Sequence, residues 1–456
     1  MRSRLRHDMY TEQVKVSEVL SALSFVLDVV EGQPKGHVLR SCFIGMSIGQ
    51  RLGLTEKQRS ALFYALLLKD SGCSSNASRM SALFDADDFE AKRAVKTVDW
   101  TSLPHAALYA ARTISPEGSL WAKAKRLFNF ALQGQEVSRR LIQIRCERGA
   151  EITRLMGLPE ETAQAIRNLD EHWDGSGHPD GLKGEKIPLL ARICGLAQTV
   201  EVFYTSFGPT RAEEVAKARR KKWFDPEIVD VFLAEARTGE MWKSLARSDL
   251  AYEISRLEPP DLILTATPEH LDRIALAFAQ IIDAKSPFTF RHSEGVAETV
   301  VAMSEYLSFD TTEVRDQRRA ALLHDIGKLG ISNRILDKDD PLTDREIAEV
   351  RKHPKLTYDV LSHVTPFKGI AETAANHHEK LDGSGYHRGV TGESLDLPSR
   401  ILAVADIYEA LSRDRPYRPA MPKEKALDIL NKESGSKLCP QSVQILNELV
   451  SKDVIR

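Results

Sequence analysis

The stretch LLHDIGKLGI, residues 322–331, decides the reading of this chain. An apolar run brings a helix to His324 and Asp325, adjacent at its end, so both side chains can reach one point without sharing a helix face. An imidazole beside a carboxylate is a ligand pair suited to Fe, Mn, Zn or Ni. The pattern has an echo upstream, LKDSGC at 68–73, and a second echo pairs WDGSGHPDGLKGE at 173–185 with LDGSGYHRGVTGE at 381–393. Register is kept between them. His37 to His292 and Lys69 to His324 are both steps of 255, while Asp174 to Asp382 and Arg192 to Arg400 are both steps of 208. The difference, 47, puts an insertion in the first copy between about residues 74 and 144. The expectation is an internal duplication.

Both copies carry helical periodicity. In RHSEGVAETVVAMSEYL, 291–307, Val296, Val300, Met303 and Leu307 fall on one face. Thr55 with Gln58, and Thr343 with Glu346, have the spacing of capping boxes. PSRILAVADIYEAL at 398–411 is a further amphipathic run, and alternation of β-branched residues is scarce. The fold class expected is all-α, as two tandem helical bundles. The periodicity lapses at RLEPPDLILTATPEH, where Pro259 and Pro260 interrupt any helix. This divides the chain into residues 1–255, a linker at 256–270, and residues 271–456.

Composition narrows the class. Of 456 residues, 42% are hydrophobic and 28% charged, which excludes a disordered chain. Lys and Arg number 63 against 65 Asp and Glu, so bulk charge gives no pull toward nucleic acid or anionic lipid. The basic run RRKK at 219–222 fits a solvated helix face. The apolar stretch Val19 to Val30 is too short and too polar to span a bilayer, and no signal-peptide core follows the basic start. A cytoplasmic protein without nucleic-acid polymer or membrane as partner is expected. Five scattered cysteines without a CxxC pair argue against disulfides and a thiolate zinc site.

The histidines are uneven: eight of thirteen lie between His270 and His387. His377 and His378 are consecutive, His292 opens a helix, His353 precedes Pro354, and Asp406 lies in an apolar helix where a lone carboxylate is costly. Together with His324 and Asp325 they point to a metal site rather than to separately buried residues.

HSEGVA, LLHDIGKLGI, the His-Pro at 353–354, HHEKLDGSGYHRG and PSRILAVADIYEALSRDRPYR together resemble the HD-GYP phosphodiesterases, a branch of the HD metal-dependent phosphohydrolases. The resemblance covers residues 285–450 closely and the first half loosely. It implies a binuclear centre of two divalent transition-metal ions, iron or manganese first, zinc or nickel next. His292, His324, Asp325 and Asp406 would hold one ion; Asp325 would bridge to a second held by His353, His377 and His378. Two cations would acidify a shared water for attack on phosphorus. Phe288 stands where some members carry a third-metal Glu, so two ions are expected. The resemblance further implies Asp325 and Lys328 as catalytic residues, and Lys328, Arg415, Arg418 and Tyr386 as substrate contacts. Glu379 and Asp382 are expected behind the ligands, orienting their imidazoles. One departure stands out: the family's Gly-Tyr-Pro reads Gly385-Tyr386-His387.

The first copy keeps His37 and Asp70 but has Lys69 for His324, Cys73 for Lys328, Arg145 for His353, Leu169 and Asp170 for His377 and His378, and Gln198 for Asp406. It is expected to bind no catalytic metal, Lys69 pairing with Asp70 in the metal's place, and to serve in sensing, dimerisation or restraint. The substrate expected first is cyclic di-GMP, opened to a linear dinucleotide or to GMP. Cyclic GMP-AMP, a phosphomonoester, or a silent module docking a diguanylate cyclase or receiver protein are the alternatives, and a homodimer is the expected assembly.

Overall fold

Helix starts follow the local chemistry. Thr55 accepts from the Gln58 backbone and Thr343 from that of Glu346, each inside a full capping box, to open the helices Glu56–Leu68 and Asp344–Val350. Val296, Val300 and Met303 are completely buried along the helix His292–Tyr306, the face the sequence pattern picks out. The computed structural model describes residues 14–84, 86–98, 120–289, 291–413 and 419–455, and among them β structure is limited to three isolated bridges. The fold is all-α. No helix among the described residues is long and apolar enough to cross a membrane.

In the first half the helices His37–Arg51, Glu56–Leu68, Glu160–Arg167 and Leu189–Phe207 pack around a core that includes Ile44, Phe63, Leu66, Ile166 and Leu196. In the second half His292–Tyr306, Thr311–Leu323, Ala371–Ala375 and Leu397–Ser412 do the same around Val300, Leu323, Ala374 and Val404. One apolar cluster runs through both halves. The connection near Pro259 is anchored rather than loose: buried Glu258 accepts from Ser17 Oγ and Tyr64 Oη, both at 2.6 Å, and Val16 N donates to Leu264 O.

The halves also repeat their contacts. Asp28 accepts from the backbone of Val38, and Asp283, a step of 255 away, accepts from that of Ser293. Glu171 accepts from the backbone of Asp180 and Leu182; Glu379, 208 further on, accepts from that of Arg388 and Val390. A Cβ on Gly72 would lie 2.0 Å from Arg145 O, and one on Gly327 would lie 2.0 Å from His353 O. Only glycine lets each tight turn press its backbone onto the neighbouring helix.

Candidate metal centre

The site forms where the helix Thr311–Leu323 ends. His324 caps it, and the 3-10 turn Ile326–Gly330 carries the chain away beneath the first turn of His353–Ser362. Thr357 ties the two together, donating to His324 O at 2.8 Å and accepting from Gly327 N at 3.1 Å. His353 opens its helix with Pro354 in the first turn, where the missing N–H costs nothing. His377 and His378 follow the helix Ala371–Ala375, Asp406 projects from Leu397–Ser412, and His292 begins His292–Tyr306.

These seven side chains converge. Asp325 is at the centre and has two faces. Its Oδ2 lies 3.3 Å from His324 Nε2 and 3.8 Å from His292 Nε2, while its Oδ1 lies 3.3 Å from His353 Nε2 and 3.6 Å from His377 Nε2. Asp406 Oδ1 stands 3.1 Å from His292 Nε2, and its Oδ2 3.9 Å from His378 Nδ1. Two ligand groups result, His292–His324–Asp406 and His353–His377–His378, with Asp325 grouped beside His324 and His377.

The hydrogen bonds behind the rings fit a cation in front of them. His324, His353 and His377 each turn Nδ1 to a backbone carbonyl at 2.7 Å, those of Ala321, Val350 and Ala374. At His353 and His377 this leaves Nε2 as a lone pair, while at His324 burial is outweighed by Asp325 and Asp406, which raise the ring, so a cation there would displace a proton as at His292. His353 Nε2 and His377 Nε2 then face each other at 3.0 Å. Two lone pairs at that distance repel unless a positive centre serves both. His324 Nε2 and Asp325 Oδ1 are buried and have no hydrogen-bond partner. The donor set of imidazoles and carboxylates therefore fits a pair of divalent ions.

Charge states agree. Burial holds His353 at about 3, His378 at about 4 and His377 well below its usual value, so these rings are neutral and able to ligate. Burial would raise Asp325, but His324 and Lys328 outweigh it and hold the carboxyl well below its ordinary range; the bond from His292 does the same for Asp406. At His292 burial is outweighed by Asp406 and Glu409, which raise the ring to about 10, so a cation binding there displaces a proton.

Other expected residues are placed as follows. Lys328 donates to Asp325 Oδ2 at 2.5 Å from the solvent side. Tyr386 lies over His378, ring centres 4.8 Å apart. Its peptide to His387 is cis, as is His178–Pro179 in the first half, and the His387 ring faces Tyr358 rather than the ligands. Arg415 and Arg418 lie outside the described residues. Glu379 and Asp382 require correction: neither orients an imidazole. Glu379 accepts from the backbone of Arg388, Gly389 and Val390, and exposed Asp382 accepts from Ser384 N and Oγ. Asp-Gly-Ser is turn chemistry, and both acids are spent on shaping the loop.

Two residues without a signal in the motifs belong here. Glu409 bonds His292 Nδ1 and aims Nε2 at Asp406. It lies one helical turn beyond Asp406, and Glu201, 208 positions earlier, bonds His37 Nδ1 in the first half. Arg351, exposed, stands with its guanidinium 5.2 Å from the centre of the Tyr386 ring.

The equivalent place in the first half is filled by ammonium and guanidinium groups. Lys69 bonds Asp70 and lies 2.8 Å from His37 Nε2. Lys96 reaches Glu31 at 2.5 Å and Asp70 at 3.4 Å. Arg145 pairs with Asp170. Glu31, Asp70 and Cys73 are close enough together to ligate an ion, but Lys96 already occupies their negative side.

A family model described as "HD domain" matches residues 77–228 and again 277–441, more than half the chain. Over 436 residues the chain is 41% identical to the 3'3'-cGAMP-specific phosphodiesterase 3 of Vibrio cholerae, covering 96% of this chain and 95% of that protein. It is 31% identical over 245 residues to a cyclic di-GMP phosphodiesterase of Pseudomonas aeruginosa, covering 52% of this chain and 56% of that one. Among solved structures it resembles a cyclic GMP-AMP specific phosphodiesterase of V. cholerae, with a TM-score of 0.63 at 36% identity over 96% of this chain and 98% of the other.

Proposed function

The chain belongs to the HD domain family, in its HD-GYP branch, and from that premise we propose that its second half is a metal-dependent phosphodiesterase for a cyclic dinucleotide, 3'3'-cyclic GMP-AMP before cyclic di-GMP. The observation that carries the reading is two-faced Asp325, one oxygen toward each histidine group. The order of substrates reverses the expectation from sequence. The relative named for 3'3'-cGAMP aligns along 96% of the chain, the one named for cyclic di-GMP along 52%.

In this reading His292, His324, Asp325 and Asp406 hold one ion, and Asp325, His353, His377 and His378 the other, iron or manganese being the first candidates. Phe288 offers no ligand for a third. Bound ions would supply Lewis acidity toward a phosphate oxygen and a water acid enough to react near neutral pH. The remaining work falls to the chain. Asp325 keeps the two groups in register. Lys328, on its outer edge, neutralises negative charge growing on a phosphate oxygen. Tyr386 presents an aromatic face to a base, and Arg415 with Arg418 would fork a phosphate. Water adds across one P–O ester bond, which breaks to give a linear dinucleotide.

We read residues 1–255 as a copy of the same unit that has lost its ligands, 256–270 as the connection, and 271–456 as the catalytic unit. The contacts repeated at steps of 255 and 208 support this.

The test is hydrolysis by metal-loaded full-length protein, with products separated by chromatography. Linear product from 3'3'-cyclic GMP-AMP, formed at least about tenfold faster than from cyclic di-GMP, is expected. A preference for cyclic di-GMP would reverse the order of substrates; no turnover of either would overturn the phosphodiesterase reading and leave a docking module.

A further inference from the structure

Among the contacts by which the segment before residue 98 reaches the second half, one is a buried carboxylate. Asp88 begins the helix Asp88–Val95 and is wholly buried. Its Oδ1 accepts from Asn333 N at 2.9 Å and from Ser332 Oγ at 3.2 Å. Its Oδ2 lies 3.4 Å from Lys285 Nζ and 3.9 Å from Lys92 Nζ. Lys285 is also buried, its ammonium 4.5 Å from the centre of the Phe89 ring. This ion pair between halves is shielded from water.

The segments it grips both lead to metal ligands. Ser332 and Asn333 stand one residue beyond the turn Ile326–Gly330, which carries Lys328 and begins after Asp325. Lys285 lies two residues beyond Asp283, whose carboxylate accepts from Ser293 N and Oγ beside His292. Asn333 Nδ2 closes the ring, donating to Lys285 O at 2.7 Å and to Asp337 Oδ2 at 2.6 Å, while Ser286 Oγ donates to Asp337 Oδ1 at 2.5 Å. One acid from the first half thus fixes the spacing between the His292 strap and the Asp325 turn.

We infer that Asp88 is a positioning residue for the metal centre, so that the first half completes a site to which it gives no ligand. The inference rests on the second half being metal-dependent. It also gives the segment around Asp88 a role, that of holding His292 and Asp325 at the separation one cation requires. Ligand placement is sensitive at the level of a fraction of an ångström.

The experiment measures retention of manganese by the full-length chain against a graded chelator, for wild type, Asp88→Asn, and Lys69→Met as a control weakened elsewhere in the first half. Asp88→Asn is expected to lose metal at roughly tenfold lower chelator concentration, whereas Lys69→Met lowers the unfolding midpoint and retains metal like wild type. A lowered midpoint for Asp88→Asn with unchanged retention would overturn the inference. Should Asp88→Asn not fold, the double variant Asp88→Leu/Lys285→Met removes the pair without stranding a buried charge, and is read the same way. Turnover of wild type on cyclic dinucleotides is scored separately: its absence would sink the phosphodiesterase reading while retention still decides the role of Asp88.

Discussion

The same carboxylate occupies two places in this molecule and has opposite company. Asp325 has the imidazoles of His324, His353 and His377 about it and one ammonium, Lys328, on its outer edge, whereas Asp70 meets the ammonium groups of Lys69 and Lys96. A buried carboxylate must be matched by positive charge whether or not chemistry is done there. In one half a single lysine stands beside the carboxylate and imidazoles fill the rest of its surroundings; in the other, two lysines do. The histidine that opens the site and the glutamate behind it persist in both, His292 with Glu409 and His37 with Glu201. The framing pair is thus the same although the neighbours of the central carboxylate differ.

The comparison breaks most visibly at its centre. Asp325→Asn removes the proposed shared ligand, and turnover is expected to fall on the order of 10³-fold or more, with metal content falling alongside. Retention of both activity and metal would contradict the bridging role. Lys69→Met acts on the other half. It leaves Asp70 with less buried compensation and should cost about 3–5 kcal/mol of stability, read by urea denaturation, while hydrolysis by the folded chain stays within twofold of wild type. Glu409→Gln and Glu201→Gln form a matched pair: the first is expected to weaken metal binding roughly 10–100-fold, the second to leave it unchanged. Arg351→Ala should raise KM about five- to tenfold with kcat little altered, if the guanidinium over Tyr386 meets the substrate.

The smallest effect concerns Asp28, which burial pushes up to about 7 despite bonds from the backbone of Val38 and Gly36. The folded state then holds this proton more tightly than the unfolded chain. Its contribution to stability is complete below the ordinary carboxyl range and fades as pH rises through about 7. Asp28→Asn lacks that loss, so its urea midpoint should gain on wild type between pH 5 and pH 8. A constant difference across that range would show that Asp28 is ionised in the fold.

The convergence of the site's side chains was legible in the sequence because histidines and buried acids are discrete signals. His292, His324, Asp325, His353, His377, His378 and Asp406 are the seven side chains the structure brings together. The helical class followed from periodicity that tertiary packing had no reason to override. Glu409 escaped because an acid one turn from a ligand looks like a solvated residue until a partner is placed beside it, although Glu201, 208 positions earlier, was a visible signal. Lys96 and Asp88 escaped for a different reason. Both sit in a stretch whose sequence shows no motif echoed in the other half, and each acts on residues far away in the chain. Glu379 and Asp382, expected behind the imidazoles, give their oxygens instead to the loop they sit in.

Metal analysis of the full-length chain tests the central claim most directly. Purified without oxygen, wild type should carry about two transition-metal ions per chain, and His324→Ala with His377→Ala should carry about none. Ions that persist in that double variant, or a wild-type chain that takes up none under any loading condition, would contradict it.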